Sequence, residues 1–320
     1  MVNALSAYTR GFLTQTNFSR TDEAGEKSAK LPEKSDHARG TVIKDTVEIS
    51  AEARKLAQAE QAKNALRDAK VSYFEQFRPT REGFSSRNLA LGIVDPSAQP
   101  FSQNRPFDEV AQAARENMDS KYQQMRESGE PYGTDNFEGK ETYSLMGDLD
   151  RRALYAVASN EGGHFSEEEQ QTAKDLMLGQ QGMAMGLYNG PTRLDGVYTI
   201  TQATSNADHM QKYAAGIQYM DQVSTEEKAT SVDWAQQRGR MQYNYERLSR
   251  DSGITPQNHN IHHPAANFIF GALESYFGFA NDADIGSRKD LLNEPWFEGY
   301  RDRLGSVMAE TRDLYGLNDL

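Results

Sequence analysis

Along this chain apolar residues recur three and four positions apart, the repeat of helices that bury one face. In FDEVAQAARENMDSKYQQMRES, Phe107, Val110, Ala111, Ala114, Met118, Tyr122 and Met125 share one side. Tyr143, Leu145, Met146, Leu149, Leu154, Tyr155 and Val157 predict a helix over about 142–158. SEEEQQTAKDLMLGQQGMAMGL predicts another, stopped at Asn189-Gly190-Pro191. Ser205 with Asp208 opens a helix through Met220, and Ser224 with Glu227 forms a capping box for a long helix reaching Arg250. Segments 264–277 and 295–315 complete the set. Phe268, Phe270, Leu273, Tyr276, Phe277 and Phe279 are apolar around much of a helix and predict the central buried one. Trp234, Tyr243, Tyr245, Trp296, Phe297 and Tyr300 read as core aromatics. VYTIT, at 197–201, is a lone strand-like run; one run builds no sheet, so a short extended loop is expected there. The fold class is therefore all-α, an irregular multi-helix domain of about eight helices.

The front of the chain has a different pattern. From about residue 14 to 44 the residues are Ser, Thr, Lys, Glu, Asp and Gly, too polar to offset their ordering entropy. Residues 1–44 are read as a disordered leader. A helix over 45–78 follows, with Ser50 as a cap and an end before Pro79. Residues 79–105, punctuated by Pro79, Gly83, Gly92, Pro96 and Pro100, read as an irregular linker. The helical domain occupies 106–320, opened by Pro106 in a first turn that Asn104 caps.

Within that first helix, DTVEISAEARKLAQ (residues 45–58) resembles the segment that opens the ordered half of bacterial anti-sigma-28 factors of the flagellar system. The resemblance covers fourteen of 320 residues. It implies a bacterial origin, and no functional residue is carried over with it.

Composition narrows the chemistry. The hydrophobic fraction is 37% and the mean hydropathy −0.79, so either the core is small for the length or part of the chain lies outside it. Cysteine is absent, which excludes disulfides, thiolate metal sites and cysteine nucleophiles. A net charge of −12 argues against nucleic acid and anionic membrane surfaces as partners. No apolar run approaches the ~20 residues of a membrane span. The start MVNALSAYTRGFLTQTNFSR has no basic region ahead of its apolar residues, so a cleavable secretory signal is not expected. The expected place is the cytoplasm, with export lacking a cleavable signal as the alternative.

Candidate chemistry is sparse. Residues 158–169, ASNEGGHFSEEE, have the outline of an EF-hand calcium loop, with Asn160 third, Gly163 sixth, Phe165 eighth and Glu169 twelfth. Ala158 and Gly162 occupy the first and fifth places, where oxygen ligands belong. The same letters spell a corner: glycines at a helix end, Ser166 as the next N-cap, Glu169 as its partner, Phe165 as a staple. NDADIGSRKDLLNE offers Asp282 and Asp284, but its Gly286 falls one place early. In NHNIHHP, His259 with His262 or His263 has the spacing of a two-imidazole metal site, weakened by Pro264. Asp148 and Asp150 read as solvated acids. No phosphate loop, nucleophile elbow or zinc-protease motif occurs.

The expected function is that of a bacterial non-enzymatic helical protein acting on another protein, with no cofactor. A calcium sensor built on Asn160 and Glu169 is the second reading. A metalloenzyme (zinc or iron) around His259, His262 and His263 is the third.

Overall fold

A computed structural model describes residues 51–133, 137–198, 203–259, 262–276 and 291–317. The leader expected at 1–44, the strand-like residues 199–201 and the acidic stretch over 281–290 lie outside these residues. The fold is all-α. Among the described residues there is no strand, and eleven α-helices stand where about eight were expected.

In chain order these are α1 Ala51–Glu75, α2 Arg87–Val94, α3 Phe107–Glu127, α4 Lys140–Met146, α5 Arg151–Ala158 and α6 Glu167–Ala184. There follow α7 Asn206–Asp221, α8 Thr225–Thr230, α9 Val232–Ser252, α10 Pro264–Glu274 and α11 Arg301–Tyr315. The extra helices arise where expected ones are cut. The segment over 142–158 breaks after Met146, where Gly147 passes under the Ser85 carbonyl: a Cβ there would lie 1.8 Å from that oxygen. Asp150 then caps a new helix by accepting from Ala153 N. Likewise Ser231 accepts from Trp234 N and starts α9 afresh after the six residues of α8.

The linker expected at 79–105 is part of the body. It contains α2, which buries Leu89, Ala90, Gly92 and Ile93. A Cβ at Gly92 would meet Gln180 Nε2 at 2.3 Å, so a larger residue there would have to displace that amide. α3 begins at Phe107 with Pro106 as N-cap, and Asn104 takes a left-handed φ of 61° instead of capping. Of VYTIT two residues are described: Val197 closes a 3₁₀ segment over Thr192–Val197, and Tyr198 after it is extended, as expected of a loop.

Two large apolar clusters hold the helices. Leu89, Met118, Leu145, Leu149, Leu154 and Phe165 belong to the first, formed by α2 to α6. Ile217, Trp234, Met241, Ile269, Leu273 and Phe297 belong to the second, formed by α7, α9, α10, α11 and the segment before α11. A small third cluster of Phe77, Ile93, Met183 and Tyr198 seats the end of α1. α10 is the correction among the expected buried faces. It turns Ala265, Ala266, Ile269, Ala272 and Leu273 inward, whereas Phe268 and Phe270 sit on its flanks and Tyr276 is exposed. Small residues win because α9 comes close: a Cβ on Gly239 would lie 2.9 Å from the Ala266 carbonyl.

Candidate functional site

The 158–169 segment turns a corner. Asn160 holds a left-handed φ of 58° and its Oδ1 accepts from Phe165 N at 2.9 Å. Ser166 and Glu169 form the reciprocal capping box of α6. Phe165 is buried against the first cluster under the Arg115 guanidinium, 5.7 Å from its ring centre. Glu169 is fully committed: it accepts from Arg115 Nη1 at 2.9 and 3.0 Å, from Tyr122 at 3.1 Å and from Ser166 N at 2.9 Å. Burial alone would raise its carboxyl, but Arg115, the Ser166 N–H and Tyr122 outweigh that and hold it below the usual range. The two candidate calcium ligands are thus spent on the chain itself.

The histidines part company in the same way. His263 is buried and caps α10, its Nδ1 accepting from Ala266 N at 3.2 Å. That bond fixes the tautomer, so Nε2 carries the proton and donates to the Lys228 carbonyl at 2.9 Å. Its ring lies 4.4 Å from that of Trp234, and burial pushes its pKa down to about 4. With both nitrogens engaged, His263 offers no metal a lone pair. His259 stands edge-on to Tyr245 at 4.7 Å, lowered chiefly by burial and then by Arg238, while His262 is exposed. Among the described residues no group of three His, Asp or Glu side chains could hold a metal ion.

The polar groups that do converge were hidden in the expected helices. Arg151, on α5, donates through Nε and Nη2 to Glu227 of α8 at 2.9 and 2.6 Å. Its Nη1 reaches the Met177 carbonyl at 2.6 Å and the Tyr219 hydroxyl at 3.0 Å. Tyr219 in turn donates to the Gly92 carbonyl at 2.9 Å, so one guanidinium ties together α2, α5, α6, α7 and α8. Burial opposes the Arg151 charge, but Glu227 and Tyr219 overcome it and hold the pKa above the ordinary value. Next to it Arg152 donates to Glu226 at 2.6 Å and to the Ser102 and Arg105 carbonyls at 3.0 Å. Asp150, expected to be solvated, is buried and accepts from Phe101 N, Ser102 N and Ala153 N, at 2.8–3.0 Å. Asp148 pairs with Lys121 at 2.6 Å.

Above the Arg151–Glu227 pair opens a cleft of about 350 Å³ between α5, α6 and α9. Helical spacing lines it: Arg151, Tyr155 and Ser159 are four apart along α5 and its C-cap, and Gln170, Lys174, Leu178 and Gln181 follow one face of α6. The Tyr155 hydroxyl lies 2.6 Å from Thr230 Oγ1, which itself donates to the Glu226 carbonyl, so Tyr155 is the donor. Burial raises Tyr155, so it stays protonated and provides no base. Nothing along the walls forms a nucleophile–base pair.

A second exposed feature is α1. Every residue from Glu52 to Leu66 is exposed, including Leu56 at 68% and Leu66 at 44%, before Val71 and Phe77 become buried. Among the described residues no helix is long and apolar enough to cross a membrane. No known protein family, curated protein or solved structure matches the chain.

Proposed function

We propose that this is a bacterial, non-enzymatic protein that works in the cytoplasm by binding another protein, and that the outer part of α1 makes the contact. The observation that carries the reading is the exposure of fifteen consecutive helical residues, 52–66. Helices in water are marginal at that length, and most gain stability by burying an amphipathic face. Here Ala and straight-chain residues supply the propensity. Ala59, Ala62, Leu66, Ala69 and Tyr73 then recur three and four apart, continuing outward the face that packs at Tyr73. Such a stripe suits a helix laid in an apolar groove.

The charges describe the groove. Residues 52–70 hold five Lys or Arg and three Asp or Glu, a basic stretch in a chain of net charge −12. The partner is therefore a different protein with an acidic rim around an apolar floor. The resemblance at 45–58 overlaps this reach of α1 at 51–58.

A photo-crosslinking residue at Gln61, with one at Gln112 of α3 as control, tests the reading in cells. The expected result is one heterologous adduct from position 61 whose partner peptide is acidic, lost in Leu66→Asp. An adduct only with a second copy of the chain, or equal labelling from both positions, overturns it.

A further inference from the structure

The cleft between α5, α6 and α9 contains polar groups that the fold leaves unused. Gln181 lines it, is only 2% exposed, and its side-chain amide makes no hydrogen bond with any described residue. On the facing wall Gln237 has a buried Oε1 that likewise lacks a partner. The Gln181 amide opens onto the cleft, where a molecule seated there can complete it, whereas the Gln237 Oε1 is closed off from it.

The charges around these amides are also unspent. Lys174 lies seven residues before Gln181 on the same face of α6, and among the described residues it forms no ion pair. Asp233 lies four before Gln237 on the facing helix, exposed and equally without an ion pair. A cation on one wall and a carboxylate on the other do not neutralise each other across the gap. Arg151 and Glu227 below them are already satisfied, and they make a rigid polar floor. The volume, about 350 Å³, is at the small end of ligand sites and well beyond what one water needs.

The geometry points to a binding site for a small zwitterion of the free amino acid class. Lys174 takes its carboxylate, Asp233 its ammonium, and the Gln181 amide a remaining polar atom. The site is independent of α1 and needs no chemistry beyond recognition.

Calorimetry and thermal melting of the full chain against the common amino acids at millimolar concentration test this. Small carboxylates and amines that carry only one of the two charges serve as controls. Trp234 lines the cleft and gives a fluorescence readout. At least one amino acid is expected to bind. Lys174→Met and Asp233→Asn, both at the rim, are each expected to weaken it about tenfold or more. Gln181→Leu is expected to weaken binding while leaving the fold intact or more stable; should it unfold, the two rim variants still decide. No binding by any amino acid, equal binding of the single-charge controls, or unchanged binding in both rim variants overturns the proposal.

Discussion

Glu227 accepts both Nε and Nη2 of Arg151, and each side chain is only 3% exposed. The two residues lie 76 apart in sequence and stand between the two large apolar clusters. Breaking such a pair leaves a buried charge without its partner, which costs about 3–5 kcal/mol. Arg151→Met and Glu227→Gln are each expected to lower the denaturant midpoint strongly. The double replacement Arg151→Met with Glu227→Leu should cost less than the two single losses combined. Denaturant unfolding followed by circular dichroism checks this, and a loss below about 1 kcal/mol in both single variants would show the pair to be incidental.

Glu169 ties its cap to Arg115 and Tyr122, so its charged form is favoured by folding. Because its folded pKa lies below the unfolded one, its contribution is complete above the ordinary carboxylate value and fades as pH falls through the folded value. Glu169→Gln should be less stable at pH 7, by the ~0.5–2 kcal/mol typical of a lost cap or more. The two stability curves should converge in acid. Calcium should leave the melting temperature of both proteins unchanged; a calcium-dependent rise that Glu169→Gln abolishes would instead reinstate the calcium loop.

For His263 the sign is the same and the window differs. Its folded pKa of about 4 lies below the unfolded ~6.5, so its contribution is full above the unfolded value and is lost as pH falls through the folded one. NMR of the imidazole signals should show His263 still neutral at pH 5.5. Titration of His263 near 6.5 would place it outside the core.

Gly147→Ala places a methyl against the Ser85 carbonyl at a backbone of ordinary helical φ, −64°. Overpacking of this kind costs about 1–3 kcal/mol or more. Gly163→Ala meets no atom within 4 Å but must hold a φ of +72°, for roughly 1–2 kcal/mol. Thermal melts should rank Gly147→Ala as the less stable of the two. The reverse order would mean that the chain between α4 and α5 can shift away from Ser85.

What could be read from the sequence was local. The apolar stripe of α3 and the capping boxes at Ser166 and Ser205 depend on residues within a few positions, and all three stand in the structure. Ser224 caps α8 as expected, yet Glu227 does not fold back on it, because Arg151 draws its carboxylate away. The close pass at Gly147 and the burial of α2 involve Ser85 and Gln180, tens of residues distant. α2 was also short and set among prolines, so its period had no room to show. The two unpaired glutamines of the cleft look in sequence like any solvated helix positions. A signal did exist at Arg151 and Arg152: two adjacent arginines at the start of an otherwise apolar helix leave at least one to be buried and paired.

Hydrogen exchange of the purified chain, at two concentrations, examines the exposed reach of α1 most directly. Amides of residues 52–66 are expected to exchange far faster than those of α5 and α9 at both concentrations, and to slow only when the acidic partner is added. Slow exchange of 52–66 in the protein alone, independent of dilution, would mean that its own chain already covers this helix and that the docking surface lies elsewhere.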